Sequence, residues 1–285
     1  MSAPFVRRKD LDDLCARGVD HILGRHKADS LTADEVAVTI VDLCADGPLA
    51  GHWNGDHLMH PASVVKLFYL AYAMRHFTAQ DRAANPEIDR ALTNMIVDSD
   101  NDATSYIIDL LTETTSGPEL NEAELQRFIE RRQVINKWFA QRGYEGHNAC
   151  NKTWTFEPYG RDRQALGPAL DRRNALSTNL AARLMTEIML DQIVTPVQCD
   201  WMRQVLFRKL PLADDRPAHG KIAAAVPEGC KVWSKSGWTS FALHDVGCVE
   251  LPNGRRIVLA IFTKNHSKNG AILTDLTQFL LANLP

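Results

Sequence analysis

The chain has 285 residues, 45% of them hydrophobic, and its formal net charge is −3 at pH 7. That length and apolar content suffice for one large domain or for two lobes that share a core. The slightly negative charge excludes the basic surface that nucleic-acid binding requires. No run of about 18 apolar residues occurs, so no membrane-spanning helix is predicted.

The amino terminus and the cysteines bear on the compartment. The first ten residues carry charge but no apolar segment follows them, so the sequence as written has no secretory signal peptide. We expect a cytoplasmic protein, or a periplasmic or secreted one if a signal has been removed. The cysteines form no C-x-x-C pair, which favours free, mostly buried thiols over disulfides. They are Cys15, Cys44, Cys150, Cys199, Cys230 and Cys248.

The amino-terminal part predicts a helix followed by a hairpin. Apolar residues recur at helical spacing over about residues 9–26. Alternating apolar residues predict a strand over 36–44, and a second strand over 49–53 follows the turn residues Asp46-Gly47-Pro48. The continuous apolar run after Pro61 predicts the start of a buried helix, since proline is tolerated in a first helical turn.

The middle of the chain is predicted to be mostly helical. After a loop over 78–86, a short helix to about Val97 and a helix beginning within 98–102 are expected. A linker over 112–118 leads to a long helix over 119–142, which Gly143 ends, and to a stretch without regular structure over 144–174. A helix from Ser177-Thr178 and a short helix around Trp201 follow.

The carboxyl-terminal part changes to strands. Three antiparallel strands are predicted over 231–236, 241–250 and 256–263, the last two joined by the hairpin signal Asn253-Gly254. A helix over 272–284 closes the chain.

Because strands are predicted near both ends of the chain, we expect the amino-terminal and carboxyl-terminal strands to form one sheet. We therefore predict the α+β class: a five-stranded antiparallel sheet flanked by helices, with an all-helical lobe beside it. The sheet lobe would comprise residues 1–58 and 220–285, and the helical lobe residues 59–219. An active-site cleft is expected between the two lobes.

A serine and a lysine lie at the start of the buried helix after Pro61. Ser63 and Lys66 are three residues apart and would share one helix face. Serine needs an adjacent base to act as a nucleophile, and burial favours the neutral form of lysine. The pair could therefore be a nucleophile and its base, although a capping serine and a solvated lysine would show the same spacing.

Two later motifs strengthen the catalytic interpretation. They are Ser99-Asp100-Asn101, whose residue types also suit helix capping, and Lys235-Ser236-Gly237 on the first late strand. The ordered set Ser-x-x-Lys, Ser-Asp-Asn and Lys-Ser-Gly resembles that of class A β-lactamases and penicillin-binding proteins, whose last motif is usually Lys-Thr-Gly. The resemblance covers about residues 10–284 and implies a β-lactamase/transpeptidase-like fold and an acyl-enzyme mechanism.

The resemblance also implies roles for the residues of these motifs. Ser63 would attack the substrate carbonyl, Lys66 would take its proton, and Ser99 would relay a proton to the leaving nitrogen. Asn101 would bind a substrate amide, and Lys235 would keep the cleft positive. Ser236 would bind a substrate carboxylate, and the N–H groups of Ser63 and Trp238 beside Gly237 would form the oxyanion hole. Standing alone, Lys235 would be read as a solvated strand lysine.

The deacylating carboxylate is the least regular part of the resemblance. Class A enzymes carry a loop glutamate in Glu-x-x-Leu-Asn, and here Phe156-Glu157-Pro158 occupies that stretch without the Leu-Asn. Glu157 is the candidate deacylation base. The alternative is a surface glutamate paired with Arg161 or Arg163, in which case acylated Ser63 would turn over slowly.

The resemblance favours a serine hydrolase that opens the amide of a small β-lactam substrate, an activity linked to antibiotic resistance. The family mostly has small residues at the position of Trp238, so the identity of the substrate is not determined by the resemblance. One alternative is an intracellular esterase or amidase. Another is a protein that binds β-lactams or peptidoglycan fragments and is acylated without efficient turnover. No cofactor is expected, and His57 and His60 lack the pattern of a metal site. The sequence does not define an oligomeric state.

Overall fold

The computed structural model describes residues 5–44, 47–213 and 220–285, with Cys44 described by its backbone only. The chain divides into two compact units, Met1–Val64 with Ser177–Pro285, and Val65–Leu176. These bounds differ from the predicted 59 and 219. The helix Thr178–Met189 belongs to the first unit because it packs against the strands of the sheet.

The first unit contains the sheet. Its strands in the described residues are β1 (Val6–Arg7), β2 (Val36–Cys44), β3 (Gly47–Trp53), β4 (Phe207–Arg208), β5 (Lys231–Trp238), β6 (Ala242–Glu250) and β7 (Arg256–Lys264). Their order across the sheet is β1-β3-β2-β7-β6-β5-β4. The five predicted strands are contiguous and antiparallel, which confirms the α+β class. The two further strands are two-residue edges, too short to leave a periodic pattern in the sequence; β1 pairs in parallel with β3.

Helices make up most of the remainder. They are α1 (Lys9–Arg25), α2 (Lys66–His76), α3 (Ala79–Ala84), α4 (Pro86–Val97), α5 (Asn101–Thr112), α6 (Glu122–Arg132), α7 (Val134–Ala140), α8 (Gly160–Ala165), α9 (Thr178–Met189), α10 (Pro196–Leu206), α11 (Ile222–Ala225) and α12 (Ala271–Ala282). Short 3-10 turns occur at Lys27–Asp29, Ala33–Glu35 and Ala62–Val65. None of the helices in the described ranges has both the length and the apolar character needed to span a bilayer.

Both faces of the sheet are covered within the first unit. Residues Ile257, Leu259 and Ile261 of β7 join a buried cluster with α1 and α12. Helix α9 also packs on β2, β6 and β7, and the Thr39 hydroxyl donates to the Thr178 hydroxyl over 2.8 Å. Because helices cover both faces, β6 and β7 are buried along nearly their whole length instead of alternating. Strand β5, which carries the Lys-Ser-Gly motif at its carboxyl-terminal end, pairs with the buried β6 along its whole length.

The second unit differs from the prediction at three places. The stretch 144–174, predicted to have no regular structure, contains helix α8. The predicted loop over 78–86 contains helix α3, whose first turn is capped by the Thr78 hydroxyl, which accepts from the Asp81 N–H. The polar composition of that segment concealed the helix. The predicted single helix over 119–142 is two helices, α6 and α7, divided at Gln133 with ψ −4°. No glycine or proline marks this division in the sequence.

The cysteine prediction is confirmed where side chains are described. Five thiols are free and buried: Cys15, Cys150, Cys199, Cys230 and Cys248. The side chain of Cys44 lies outside the described residues.

Candidate active site

In the first unit, Ser63 lies in the 3-10 turn that precedes α2. The α-helix begins at Lys66 and not at Pro61, because the Ala62 backbone has φ +47°, outside the helical region. The turn is closed by the Val64 N–H, which donates to the Pro61 carbonyl over 3.1 Å. Ser63 is half-buried between fully buried neighbours. Ser63 is therefore the partly accessible residue of an otherwise buried turn.

Strand β5 packs its backbone against this turn at Gly237. A Cβ built on Gly237 would lie 2.7 Å from the Pro61 carbonyl oxygen and 2.9 Å from the Ser63 nitrogen, closer than side chains tolerate. The Thr239 N–H donates to the Ala242 carbonyl of the β5–β6 ladder. Since antiparallel pairing alternates, the N–H of Trp238 points away from β6. The two donors assigned to the oxyanion hole thus lie on neighbouring segments.

Replacing Gly237 with alanine is expected to lower the acylation rate by about 10–100-fold, because the added methyl displaces β5 from the Ser63 amide and loosens the oxyanion donors. The acylation rate constant should be measured by stopped flow. Gly229→Ala is the control, because a Cβ there lies at an ordinary 3.4 Å from Pro252. Its backbone also has φ +84°, so its effect should appear in stability and not in acylation. Equal acylation rates in wild type and Gly237→Ala would contradict this close approach.

The cationic end of β5 is buried. Lys235 and Ser236 are almost fully inaccessible, and the Lys235 ammonium donates to the Ser236 carbonyl over 2.8 Å. A solvated strand lysine is thereby excluded. A second buried cation, Arg208 of β4, donates to the Ser234 carbonyl over 2.8 Å. Sequence analysis missed Arg208 because a two-residue edge strand has no recognisable pattern.

A buried carboxylate balances this charge. Asp245 lies opposite Ser236 in the β5–β6 register and accepts from the Lys221 and Ile222 N–H groups over 2.7 and 2.8 Å. Burial raises the pKa of Asp245 to about 6, and Arg208 and Lys235 act against this rise.

Trp238 is half-exposed at the end of the strand. Its indole N–H donates to the Ser267 carbonyl over 3.3 Å. The ring is thus fixed from one side and leaves its other side accessible for contact with a ligand.

His244 contacts the backbone just before the Ser63 turn. Its Nδ1 accepts from the Thr263 N–H over 3.2 Å, so Nε2 carries the proton and donates to the His60 carbonyl over 2.9 Å. Burial lowers the pKa of His244 to about 4, which keeps the ring neutral. Sequence analysis did not select this histidine, because its partners are backbone groups on two distant segments.

In the second unit, Lys66 is fully buried among oxygen acceptors. Its Nζ donates to the Ser99 carbonyl over 2.6 Å and to the Asn101 Oδ1 over 2.7 Å. The Ser99 hydroxyl lies 3.3 Å away, and the Asp100 carbonyl 3.4 Å away. Lys66 is thus brought together with both predicted residues of the Ser-Asp-Asn motif.

Burial lowers the pKa of Lys66 to about 7, and the negative charge of Asp100 acts against this decrease. Near neutral pH a substantial fraction of the amine is therefore unprotonated. In that form it can donate two hydrogen bonds and direct a lone pair toward a proton donor. A lysine in this state can serve as a general base.

The Ser-Asp-Asn motif has its shape because it begins α5. The Asp100 carboxylate caps the helix by accepting from the Ala103 N–H over 2.7 Å. Ser99 just before it has φ +56°, an uncommon conformation for serine. Such strain is typical of functional turns. Helix capping and presentation of Ser99 and Asn101 to Lys66 are therefore compatible functions of one motif.

Two threonines that sequence analysis did not single out also contact Asn101. The Thr153 hydroxyl donates to Asn101 Oδ1 over 2.9 Å, and the Asn101 amide N–H donates to the Thr155 hydroxyl over 3.4 Å. They lie in the stretch that showed no periodicity.

Glu157 is placed apart from this network. Its side chain is 68% exposed and pairs with Arg173 over 3.2 Å. The predicted alternative partners are engaged elsewhere: Arg161 donates to the Pro118 carbonyl and Arg163 to the Gly167 carbonyl. Within the described residues no side-chain carboxylate forms a hydrogen bond with Lys66 or Asn101.

The first unit holds a serine turn beside a strand with backbone donors, and the second holds a buried lysine of lowered pKa; each is a feature of serine hydrolases. The chain belongs to the Beta-lactamase enzyme family, whose profile matches residues 78–283. That match begins after Ser63 and Lys66, so it is independent of them. No curated protein matched the sequence.

Solved structures share the fold. A PBP-A mutant in an acyl-enzyme complex with penicillin G is 18% identical with a TM-score of 0.66, covering 98% of this chain and 97% of its own. A β-lactamase from Sphaerobacter thermophilus is 21% identical with a TM-score of 0.65, covering 93% and 96%. A class A β-lactamase from Mycobacterium abscessus is 16% identical with a TM-score of 0.65, covering 93% and 98%.

Proposed function

We propose that this β-lactamase-like serine hydrolase opens the amide of a β-lactam ring through an acyl-enzyme on Ser63. The observation that carries the proposal is the buried Lys66, whose pKa is lowered to about 7 three residues after an accessible serine. Related folds in the solved structures include a PBP-A mutant acylated by penicillin G. A strained cyclic amide is a suitable substrate because ring opening does not require the leaving nitrogen to depart.

In the proposed acylation, neutral Lys66 removes the Ser63 hydroxyl proton as oxygen attacks the carbonyl carbon. The oxyanion that forms is stabilised by the N–H groups of Ser63 and Trp238. The C–N bond then breaks, and Ser99 transfers its proton to the ring nitrogen while the Lys66 ammonium donates one to Ser99, which restores both groups. Water later adds to the acyl carbonyl and releases the acid together with free Ser63.

Two contributions would orient the substrate. The buried positive charge of Lys235, with the Ser236 hydroxyl, would bind a carboxylate next to the ring. The Asn101 amide N–H would donate to the carbonyl of an acylamino side chain. These contacts select small acidic amides over neutral esters.

Nitrocefin turnover combined with intact-mass spectrometry tests the proposal. Steady hydrolysis with a transient adduct on Ser63 supports it. If the wild-type protein neither hydrolyses nitrocefin nor forms an adduct with nitrocefin or penicillin G, the proposal is contradicted and the esterase or amidase alternative is favoured.

A long-lived acyl-enzyme is the second candidate, and the position of Glu157 favours it. A carboxylate that activates the deacylating water must reach that water, whereas the exposed Glu157 side chain pairs with Arg173. A mass adduct on Ser63 that persists for many minutes while hydrolysis stays slow would support this version of the function.

Replacing Glu157 with glutamine is expected to leave both acylation and deacylation within about twofold of wild type, because an exposed ion pair contributes little. Steady-state nitrocefin kinetics and adduct lifetimes provide the measurement. Arg173→Gln is the matched control, since it removes the same ion pair from the other side. A drop in deacylation of more than about tenfold in Glu157→Gln alone would restore this residue as the base.

A further inference from the structure

The Asn101 side chain is held at both ends of its amide. Its Oδ1 accepts from Lys66 Nζ over 2.7 Å and from the Thr153 hydroxyl over 2.9 Å, and its Nδ2 donates to the Thr155 hydroxyl over 3.4 Å. Thr153 and Thr155 are two apart in an irregular, non-helical segment. The segment thus provides a donor to the oxygen end of the amide and an acceptor to its nitrogen end.

The same segment is tethered to the helix that carries Asn101. The fully buried Lys152 donates to the Asp109 carboxylate over 2.6 Å and to the Ser116 hydroxyl over 2.9 Å. Asp109 lies two turns further along α5 than Asn101. A buried, hydrogen-bonded ion pair fixes the two segments more firmly than an exposed pair can. The position of Thr153 relative to Asn101 is therefore determined by the fold.

The Thr153 hydroxyl becomes important for the orientation of the Asn101 amide when Lys66 loses its proton. An ammonium can only donate, so it holds the Asn101 carbonyl oxygen toward itself without help. The neutral amine has a lone pair that would also accept from a reversed amide. Thr153, paired with Thr155 at the opposite end, then keeps the oxygen facing Lys66 and leaves the amide N–H directed away from it.

We propose that Thr153 is a positioning residue of acylation, whose hydroxyl holds the Asn101 amide in the orientation that Lys66 and the substrate both use. This inference rests on the proposed function for the substrate, but the orientation of Asn101 toward Lys66 is a property of the free protein. Two measurements therefore separate the two claims.

The first measurement is the acylation rate of Thr153→Val, which keeps the shape and removes the hydroxyl. We expect about a tenfold decrease, the effect of one lost hydrogen bond. Thr153→Ser should restore the rate to within about twofold. Thr155→Val should change it less, because its contact is the longer one at 3.4 Å. Equal rates in wild type and Thr153→Val would overturn the inference.

The second measurement is the titration of Lys66, followed by NMR of protein labelled with carbon-13 at the lysine side chains and assigned with Lys66→Met. In Thr153→Val the Asn101 amide can reverse and donate to the lone pair of the neutral amine. This stabilises the neutral form, so the pKa of Lys66 should fall, and Thr153→Ser should restore it. An unchanged titration in Thr153→Val would overturn the inference even if acylation slowed. If wild type is never acylated, the proposed function fails, and this titration alone decides the role of Thr153.

Discussion

Ser63→Ala is expected to abolish both the covalent adduct with penicillin G and the hydrolysis of nitrocefin. The variant keeps the backbone N–H of the oxyanion hole but removes the oxygen that forms the acyl bond. Residual hydrolysis should stay at least about 10³-fold below wild type, because removing the nucleophile of an acyl-transfer enzyme leaves only binding and oxyanion stabilisation. Intact-mass spectrometry after incubation with penicillin G is the measurement.

The structure indicates that this loss would be chemical and not a failure to fold. Ser63 is half-buried in a turn whose geometry depends on Ala62, Val64 and the backbone contact with Gly237. Removing one oxygen there creates no cavity. The melting temperature should therefore change by at most a few degrees. Ser240→Ala, at an exposed serine beyond the end of β5, is the matched control and should keep full reactivity. An adduct that still forms in Ser63→Ala would mean that another residue is the nucleophile.

Much of the site was predictable because its chemistry lies in short local motifs. Ser63 and Lys66 are three residues apart, and Ser99, Asp100 and Asn101 are consecutive. In the second of these motifs the close spacing at a helix start lets both Ser99 and Asn101 reach the Lys66 amine. The strand that carries Lys235 was predictable for a similar reason, since an apolar strand followed by a hairpin signal leaves few alternatives.

The remaining parts depend on contacts between distant segments. Thr153 meets Asn101 across 52 residues of chain, and His244 meets the His60 carbonyl across 184. Neither residue stands in a pattern of its own. The side chain of Glu157 turns toward Arg173 because a nearby cation stabilises an exposed carboxylate, and that choice is made by the loop conformation and not by the local sequence.

Local composition also misled the prediction of element boundaries. The segment around Ala79–Ala84 is polar enough to suggest a loop, yet its first turn is capped by Thr78. The division between α6 and α7 at Gln133 has no breaker residue. Tertiary packing decides the second case: Arg132 at the end of α6 is buried and paired with Asp162 over 3.1 Å. A buried ion pair of this kind fixes where the helix ends but leaves no periodic signal.

Lys66→Met is expected to lower the acylation rate by about 10²–10⁴-fold, the range for loss of a general base. Methionine fills the buried volume without a titratable group, so the Ser63 hydroxyl would lose its proton acceptor. Wild type should show a matching pH dependence. Because the pKa of Lys66 is lowered to about 7 and only the neutral amine accepts a proton, acylation should rise with pH through about 7 and then level off. Stopped-flow acylation rates between pH 5.5 and 9 give both results.

Lys152 offers a control of the same residue type in the same unit. It is also buried, but its ammonium pairs with Asp109 over 2.6 Å, so it contributes to stability and not to proton transfer. Lys152→Met should therefore lower the melting temperature, because it leaves a partly buried carboxylate unpaired, and the acylation that remains should still rise with pH to a plateau, because Lys66 is retained. Lys66→Met should show the opposite pattern: a folded protein, little acylation and no rise near pH 7. If acylation by wild type were flat across this pH range, Lys66 would act only through its charge, and another group would have to take the proton of Ser63.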